Sequence, residues 1–105
     1  MLKLKKPTEN REKKMSEFSF ERQPSPAKLE ILGVFEWPIW EKEVSEFEWT
    51  YDKTETCYFL RGEVIITPED GEPIEFGRGD LVTFPAGMKC TWNILKPVEK
   101  LYSIG

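Results

Sequence analysis

Hydrophobic and polar residues alternate along much of this chain in the pattern that β-strands show. Between residues 44 and 51, aromatic side chains alternate with polar ones, so that one face of the segment is apolar and the other is hydrophilic. The apolar face carries Phe47, Trp49 and Tyr51, and the polar face carries Glu46, Glu48 and Thr50. This period of two predicts a strand with one buried face.

Further apolar runs are separated by turn residues at regular intervals. Residues 56–60 and 64–67 precede Asp70-Gly71, a pair that predicts a hairpin because glycine readily adopts the positive φ of a tight reversal. Three later runs, residues 81–84, 90–95 and 100–104, follow glycine or proline turns. A total of about eight to ten short strands predicts an all-β jelly-roll barrel of two facing sheets.

The segment before these strands shows no helical pattern. Pro24-Ser25-Pro26 is interpreted as helix-breaking, because proline lacks an amide donor and biases the preceding residue towards extended geometry. Residues 29–37 are interpreted as extended chain that is interrupted at Gly33. Pro38 predicts a sheet edge or corner in the residues that follow it.

Length and composition predict one domain. A chain of 105 residues is long enough for a single core, and 39% hydrophobic residues, with 13% aromatic, are enough to fill it. The chain begins with a polar, basic run that has little apolar surface to bury. We therefore predict a disordered basic leader over residues 1–23 and a folded domain over residues 24–105.

The net charge of −4 hides an asymmetry between the start of the chain and the rest. Residues 1–14 contain six Lys or Arg and two Glu, which gives +4, so the remaining 91 residues carry −8. An acidic body argues against a nucleic-acid groove, which needs clustered basic residues to displace counterions from phosphates. No apolar run predicts a membrane span or a secretory signal. We therefore expect a cytoplasmic protein with two reduced cysteines.

The spacing of several glycine, proline and glutamate residues carries a family pattern. The positions are Glu55 and Gly62 in a first motif, and Gly79, Pro85 and Gly87 in a second. This spacing resembles the two motifs of the cupin superfamily, the second of which ends in a histidine. Cys90 stands at the position of that histidine, and the chain contains no histidine at all.

From Trp40 to Lys100 the chain looks like a compact cupin branch that includes ureidoglycine aminohydrolase-like and ethanolamine-utilisation Q-like domains. The resemblance implies a single cupin domain, a double-stranded β-helix of two facing antiparallel sheets. Small single cupins commonly form homodimers through edge strands. The aromatic-rich residues 34–40 are interpreted either as such a contact or as a cap on the barrel.

In cupins, histidines and the glutamate of the first motif hold a divalent metal. In this chain the positions of the family's first two histidines are occupied by either Trp49 and Tyr51 or Glu48 and Thr50. The alternation of polar and apolar residues favours the aromatic pair. Neither pair supplies a nitrogen ligand, so we predict no tightly bound metal or other cofactor. In the other register, two carboxylates and Cys90 remain an alternative set of ligands for a weakly held divalent metal such as zinc.

The alternation also selects candidate site residues. Glu55 and Cys57 have the same parity, so both face the interior if one does, and Cys90 stands at the family's ligand position. The predicted ligand-binding residues are Trp49, Tyr51, Glu55, Cys57, Cys90 and Trp92. Burial predicts raised carboxyl and thiol pKa values, and makes Glu55 a candidate proton carrier. Alternatively, the thiols only fill space. Lys100 is predicted to pair with an acid at the surface, or else to anchor an anionic ligand.

These features predict a histidine-free small cupin that binds a small polar or carbohydrate-like molecule in its barrel cavity. We expect a homodimer with no nucleic-acid or membrane partner. The alternative is a small metabolic enzyme, similar to ureidoglycine aminohydrolases or to isomerases, in which Glu55 is a catalytic general acid or base. Because those aminohydrolases have two cupin domains and histidine ligands, and this chain has neither, the resemblance does not transfer their activity.

Overall fold

The computed structural model describes residues 18–105, which contain seven β-strands, one α-helix and one short 3₁₀ helix. The strands are β1 (Ser19–Arg22), β2 (Ile39–Lys42), β3 (Ser45–Thr50), β4 (Glu55–Pro68), β5 (Ile74–Gly77), β6 (Asp80–Phe84) and β7 (Lys89–Ile104). Helix α1 (Pro26–Leu32) and the 3₁₀ helix (Val34–Glu36) lie between β1 and β2. The predicted all-β class is confirmed.

The strand register defines two antiparallel sheets. The first has the order β1-β6-β4-β7-β2, and the second has the order β3-β7-β4-β5. The N-terminal part of β4 and the C-terminal part of β7 belong to the first sheet, and their remaining parts belong to the second. The two sheets therefore share their two longest strands and face each other as the predicted jelly roll, without closing into a complete barrel.

Both long strands bend where they pass from one sheet to the other. The pairing of β4 with β7 shifts register between Phe59 and Val64, and Gly62 within this stretch has a φ of 107°. The backbone of β7 approaches Gly62 closely at Pro97. Sequence analysis divided residues 56–67 and residues 90–104 into two runs each, and the structure joins each pair into one strand, so the predicted strand count was too high. The chain bends at Gly62 and Pro97, and the strands continue.

Aromatic side chains fill the interior between the two sheets. Phe59, Phe76, Phe84 and Trp92 are almost completely buried, and each comes from a different strand. Tyr51 stacks on Phe84 with their ring centroids 4.6 Å apart. Because these large rings remove much apolar surface from water, their packing holds the two sheets together.

Two local predictions from the sequence are confirmed. In β3, the side chains of Glu46, Glu48 and Thr50 are exposed; on the opposite face Phe47 is half-buried, but Trp49 is 49% exposed. Strands β4 and β5 pair in antiparallel fashion on either side of the turn that contains Asp70-Gly71. Period-two alternation and a glycine turn signal were therefore sufficient to define these elements.

Helix α1 corrects the prediction that residues 29–37 are extended. Ser25 caps this helix with a side-chain hydrogen bond of 3.2 Å, Pro26 lies in its first turn, and Gly33 ends it with a φ of 73°. Pro26 therefore begins a helix and does not prevent one, because the first helical amides need no partner within the helix. Leu29 is the one buried residue of α1, so a hydrophobic period could not reveal this helix.

The folded domain also begins before the predicted boundary at residue 24. Strand β1 pairs with β6 from Ser19 opposite Thr83 to Arg22 opposite Asp80, and the Arg22 and Asp80 side chains form an ion pair of 2.7 Å. These residues were assigned to the disordered leader, and the structure places them in a sheet. The rest of that predicted leader, residues 1–17, lies outside the described residues. Between residues 18 and 105, no helix has the length and apolarity to cross a membrane.

Candidate functional site

A cavity of about 270 Å³ lies among β2, β3, β4 and β7. Nine residues line it: Trp40, Phe47, Trp49, Tyr51, Glu55, Trp92, Lys100, Tyr102 and Ile104. Six of the nine are aromatic, and two carry opposite charges. Apolar walls with a few convergent polar groups are the usual composition of a small-molecule site.

The aromatic walls of the cavity are held by the core. Trp92 is 2% exposed, and it contacts Trp40 edge-on with centroids 5.8 Å apart and lies parallel to Phe47 at 6.0 Å. Trp49 contacts Phe47 in a T-shaped pair but is 49% exposed, which places it at the rim. The cavity therefore has inner walls that pack against the core and one largely exposed ring at its rim.

Lys100 brings a buried positive charge to this cavity. Its side chain is 6% exposed, and Nζ donates hydrogen bonds to Glu55 Oε2 at 3.0 Å and to Cys57 Sγ at 3.1 Å. Nζ also lies 4.8 Å from the ring centroids of both Trp40 and Trp92, a distance at which an aromatic face attracts a cation. Sequence analysis correctly predicted an acidic partner for Lys100, but the prediction of a surface position was wrong.

Strand register explains why these groups meet. Glu55 and Cys57 point to the same side of β4, and the Cys57 thiol donates a hydrogen bond to Glu55 Oε2 at 3.2 Å. Cys57 lies opposite Tyr102 on β7. Lys100 is two residues from Tyr102 along that strand, so it shares the inward face and lies diagonally across from Cys57.

The two thiols of the protein are buried and protonated at neutral pH. Burial raises the pKa of Cys57 to about 12, although the nearby Lys100 ammonium opposes this effect. Burial also raises the pKa of Cys90 to about 11, and the positive charge of Lys100 opposes that increase. Because the thiolate is the nucleophilic form, both cysteines are poor nucleophiles.

The buried thiols predict a loss of stability at alkaline pH. A cysteine in the unfolded chain ionises near pH 9, whereas the folded thiols keep their protons up to about pH 12 for Cys57 and about pH 11 for Cys90. The unfolded state therefore binds fewer protons above pH 9, and the free energy of unfolding, fully present below that pH, falls as the pH rises. The maximal slope is about 1.4 kcal/mol per pH unit for each thiol.

Urea denaturation between about pH 8 and about pH 11 measures this slope. The variant Cys57→Ala/Cys90→Ala lacks both thiols, so its free energy of unfolding should fall less steeply over the same range. A slope equal to that of the wild type would contradict the prediction.

The structure brings four of the six predicted ligand-binding residues to the cavity. Tyr51, Glu55 and Trp92 line it, with Trp49 at the rim. Cys57 and Cys90 are not lining residues. Cys57 is fully buried behind the ion pair. Cys90 lies beside a separate groove of about 120 Å³, which it shares with Glu48 among other residues.

Five lining residues were missing from the predicted ligand-binding set, although Lys100 had been considered as an anchor for an anionic ligand: Trp40, Phe47, Lys100, Tyr102 and Ile104. Phe47 was detectable, because it shares the inward parity of Trp49 on β3. The other four lie on β2 and on the C-terminal part of β7. They meet the cavity only through the pairing of these strands, which no local sequence signal defines.

The donor groups of the cavity do not fit the divalent metal that cupins hold. Trp49 and Tyr51 supply no metal-binding nitrogen, and the Lys100 ammonium lies 3.0 Å from Glu55, where it repels a metal cation. Glu48 and Cys90 flank a groove that does not include Glu55, so the alternative ligand set does not converge. Within residues 18–105, no three Cys, Asp or Glu side chains are arranged as a metal site.

Comparison with known families supports the resemblance first inferred from motif spacing. The family model described as the EutQ-like cupin domain matches residues 29–102. The chain belongs to the EutQ-like cupin family. The match includes every lining residue of the cavity except Ile104, so the site lies within the shared domain of this cupin.

Solved structures show the same fold. This cupin is similar to a DUF861 family protein from Thermotoga maritima, with 54% identity and a TM-score of 0.81 over 85% of this chain and 100% of that one. It is also similar to a putative ethanolamine utilization protein Q from Salmonella typhimurium, with 26% identity and a TM-score of 0.57 over 63% of this chain and 53% of that one.

The EutQ protein of Clostridium difficile, at 24% identity and a TM-score of 0.57, shares the fold over 63% of this cupin and 52% of its own length. This cupin therefore spans about half the length of the two EutQ proteins. No functionally curated protein matches it.

Proposed function

We propose that this cupin binds a small polar or carbohydrate-like molecule in the cavity among β2, β3, β4 and β7. The observation that carries this proposal is an ion pair inside aromatic walls, with Glu55 Oε2 and Lys100 Nζ 3.0 Å apart on the lining. Aromatic faces can contact the ring or C–H surface of a ligand. The charged pair can form hydrogen bonds that fix the ligand's orientation.

The size of the cavity limits the size of the ligand that it can hold. Its volume of about 270 Å³ lies just below the range of roughly 300 to 1,000 Å³ that ligand pockets typically have. A small metabolite is therefore favoured over a nucleotide or a peptide. The two free cysteines suit the reducing cytoplasm, which we propose as the location of this protein.

A second candidate function is acid–base catalysis by Glu55. This residue is the sole carboxylate among the nine lining residues, and its Oε2 contacts the Lys100 ammonium at 3.0 Å and the Cys57 thiol at 3.2 Å. A proton acceptor and two proton donors are therefore in direct contact, and such a cluster can move a proton to or from a bound molecule. Binding is the first proposal because it requires only the cavity.

A panel of small sugars, polyols, amides and organic acids tests binding to the full chain. We expect some of these compounds to raise the melting temperature, because a ligand that binds only the folded state stabilises it. Trp49→Ala should weaken each hit about fivefold through the loss of an aromatic contact. The melting temperature of the free protein should change little, since Trp49 is 49% exposed at the rim.

Phe35→Ala is the matched control for Trp49→Ala. Phe35 is 63% exposed and contacts Tyr58, away from the cavity lining, so hits should keep their affinity in this variant. A panel without hits, or equal weakening by both substitutions, would contradict binding in the cavity. Incubation of each hit with the protein separates the two candidate functions: conversion that disappears in Glu55→Gln identifies an enzyme, and unchanged compounds identify a binding protein.

A further inference from the structure

Among residues 18–105, the cavity is lined by one positive charge, one negative charge and no other ionised group. Glu55 and Lys100 are the charged residues among the nine that line it, and their charged atoms lie 3.0 Å apart. The Cys57 thiol behind them and the Cys90 thiol in the core carry no charge at neutral pH, because burial raises the pKa of Cys57 to about 12 and that of Cys90 to about 11. The cavity is therefore strongly polar at one point and has no net charge.

A charged ligand would enter this cavity without a partner for its charge. The Lys100 ammonium is already compensated by Glu55 and by two indole faces at 4.8 Å. An anion would have to share Lys100 with a carboxylate that repels it, and a cation would have to approach the ammonium itself. Removing an ion from water without a counter-charge is much less favourable than removing a neutral hydrogen-bonding group.

The ion pair still has free hydrogen-bonding capacity. A lysine ammonium has three N–H donors, and two of those of Lys100 are directed at Glu55 Oε2 and Cys57 Sγ. Both hydrogen bonds to Glu55 are accepted by Oε2, and Oε1 accepts none from residues 18–105. Because both residues line the cavity, one donor of Lys100 and one acceptor of Glu55 remain for a ligand there.

We propose that the ligand of this cavity is an uncharged molecule with a flat or ring-shaped body and one edge that carries a hydrogen-bond acceptor beside a donor. A primary amide or a vicinal diol has such an edge. The ligand's acceptor oxygen binds Lys100 Nζ, its N–H or O–H donates to Glu55 Oε1, and its body lies against the aromatic walls. This inference rests on the proposed small-molecule function and specifies the ligand's charge and its polar edge.

Three compounds that share one phenyl ring and differ in charge test this inference. Benzamide is neutral, benzoate is an anion and benzamidine is a cation. Titration of the full chain with each compound, followed by indole fluorescence or by indole N–H signals in NMR spectra, gives three affinities. We expect benzamide to bind at least about tenfold more tightly than either ion, because only the ions leave an uncompensated charge.

Substitutions that change the cavity's charge should change this order. Glu55→Gln leaves a net positive charge in the cavity, so benzoate should become the preferred compound. Lys100→Met leaves a net negative charge, so benzamidine should become the preferred compound. Glu46→Gln is the matched control, because it removes a charge from the exposed face of β3. This variant should keep the wild-type order. Circular dichroism verifies that each variant is folded, and Glu55→Gln decides alone if Lys100→Met does not fold.

Two outcomes would overturn the inference and leave the proposed function intact. One is tighter binding of benzoate or benzamidine than of benzamide to the wild type, and the other is an unchanged order in Glu55→Gln. If none of the three compounds binds, the hits of the wider panel decide: uncharged hits with an adjacent donor and acceptor support the inference, and any other hits overturn it. A panel with no hits removes the proposed function and this inference with it.

Discussion

Replacing Lys100 by methionine should lower the free energy of unfolding by about 3 kcal/mol at neutral pH, because it leaves a buried charge without its partner. The Lys100 side chain is 6% exposed and the Glu55 side chain is 13% exposed. Water can therefore do little to stabilise the Glu55 carboxylate once the lysine ammonium is removed. Methionine retains the apolar stem of the lysine, which separates the effect of charge from that of packing. Urea denaturation followed by tryptophan fluorescence measures the change.

Lys96→Met is the matched control for this prediction. Lys96 Nζ lies 3.2 Å from Glu63 Oε2, but the two side chains are 67% and 41% exposed, so the loss should be below about 1 kcal/mol. In the variant Lys100→Met/Glu55→Gln, removal of both charges should recover about 2 kcal/mol of the lost stability. A loss for Lys100→Met as small as that for Lys96→Met would show that the buried pair does not stabilise the fold.

Gly62→Ala should lower the free energy of unfolding by a similar amount, about 3 kcal/mol. An added Cβ would lie 2.4 Å from the carbonyl oxygen of Pro97 and 2.7 Å from Cα of Val98. Both are backbone atoms of β7, so no side-chain rotation relieves the contact. The φ of 107° adds strain, because residues with a Cβ rarely adopt such a conformation.

Gly87→Ala is the control that separates strain from steric overlap. Gly87 has a φ of 87°, and an added Cβ there meets no atom within 4 Å. Its loss of stability should therefore be limited to backbone strain of about 1 kcal/mol. Urea denaturation of both variants gives the comparison, and equal losses would show that conformation alone explains the glycine at position 62.

Side-chain alternation predicted the inward-facing residues where the opposite face of a strand is exposed to solvent. In β3 the exposed face carries Glu46 and Glu48, so the aromatic face was unambiguous. The shared parity of Glu55 and Cys57 was equally readable, and their side chains form a hydrogen bond of 3.2 Å. These predictions succeeded because the period-two signal depends only on contrast between the two faces of one strand.

Lys100 could not be placed in this way, because β7 is buried on both faces at that position. Val98 and Lys100 face the interior, whereas Leu101, which is 8% exposed, packs with Leu29 of α1 in a second cluster. With both faces covered, alternation no longer distinguishes inside from outside. Glu55, whose carboxylate pairs with Lys100, lies 45 residues earlier in the chain, and only the strand register brings these two residues together.

Cys90 illustrates the limit of motif spacing. It stands where the cupin pattern has its last metal ligand, yet its side chain belongs to the apolar core and it does not line the cavity. The motif defines the position of this residue in the fold, because the glycines and proline around it determine the turn that precedes β7. The chemistry of the position depends on the side chain that occupies it.

The continuity of β4 and β7 has a consequence for how the molecule opens. Because β4 and β7 pair with each other in both sheets, separating these two strands would disrupt both sheets at once. We expect amide hydrogens in the centres of β4 and β7 to exchange with solvent only through global unfolding, and those of β1 and α1 to exchange through local fraying. Glu55, Cys57 and Lys100 all lie on the two shared strands, so their arrangement should persist for as long as the protein remains folded.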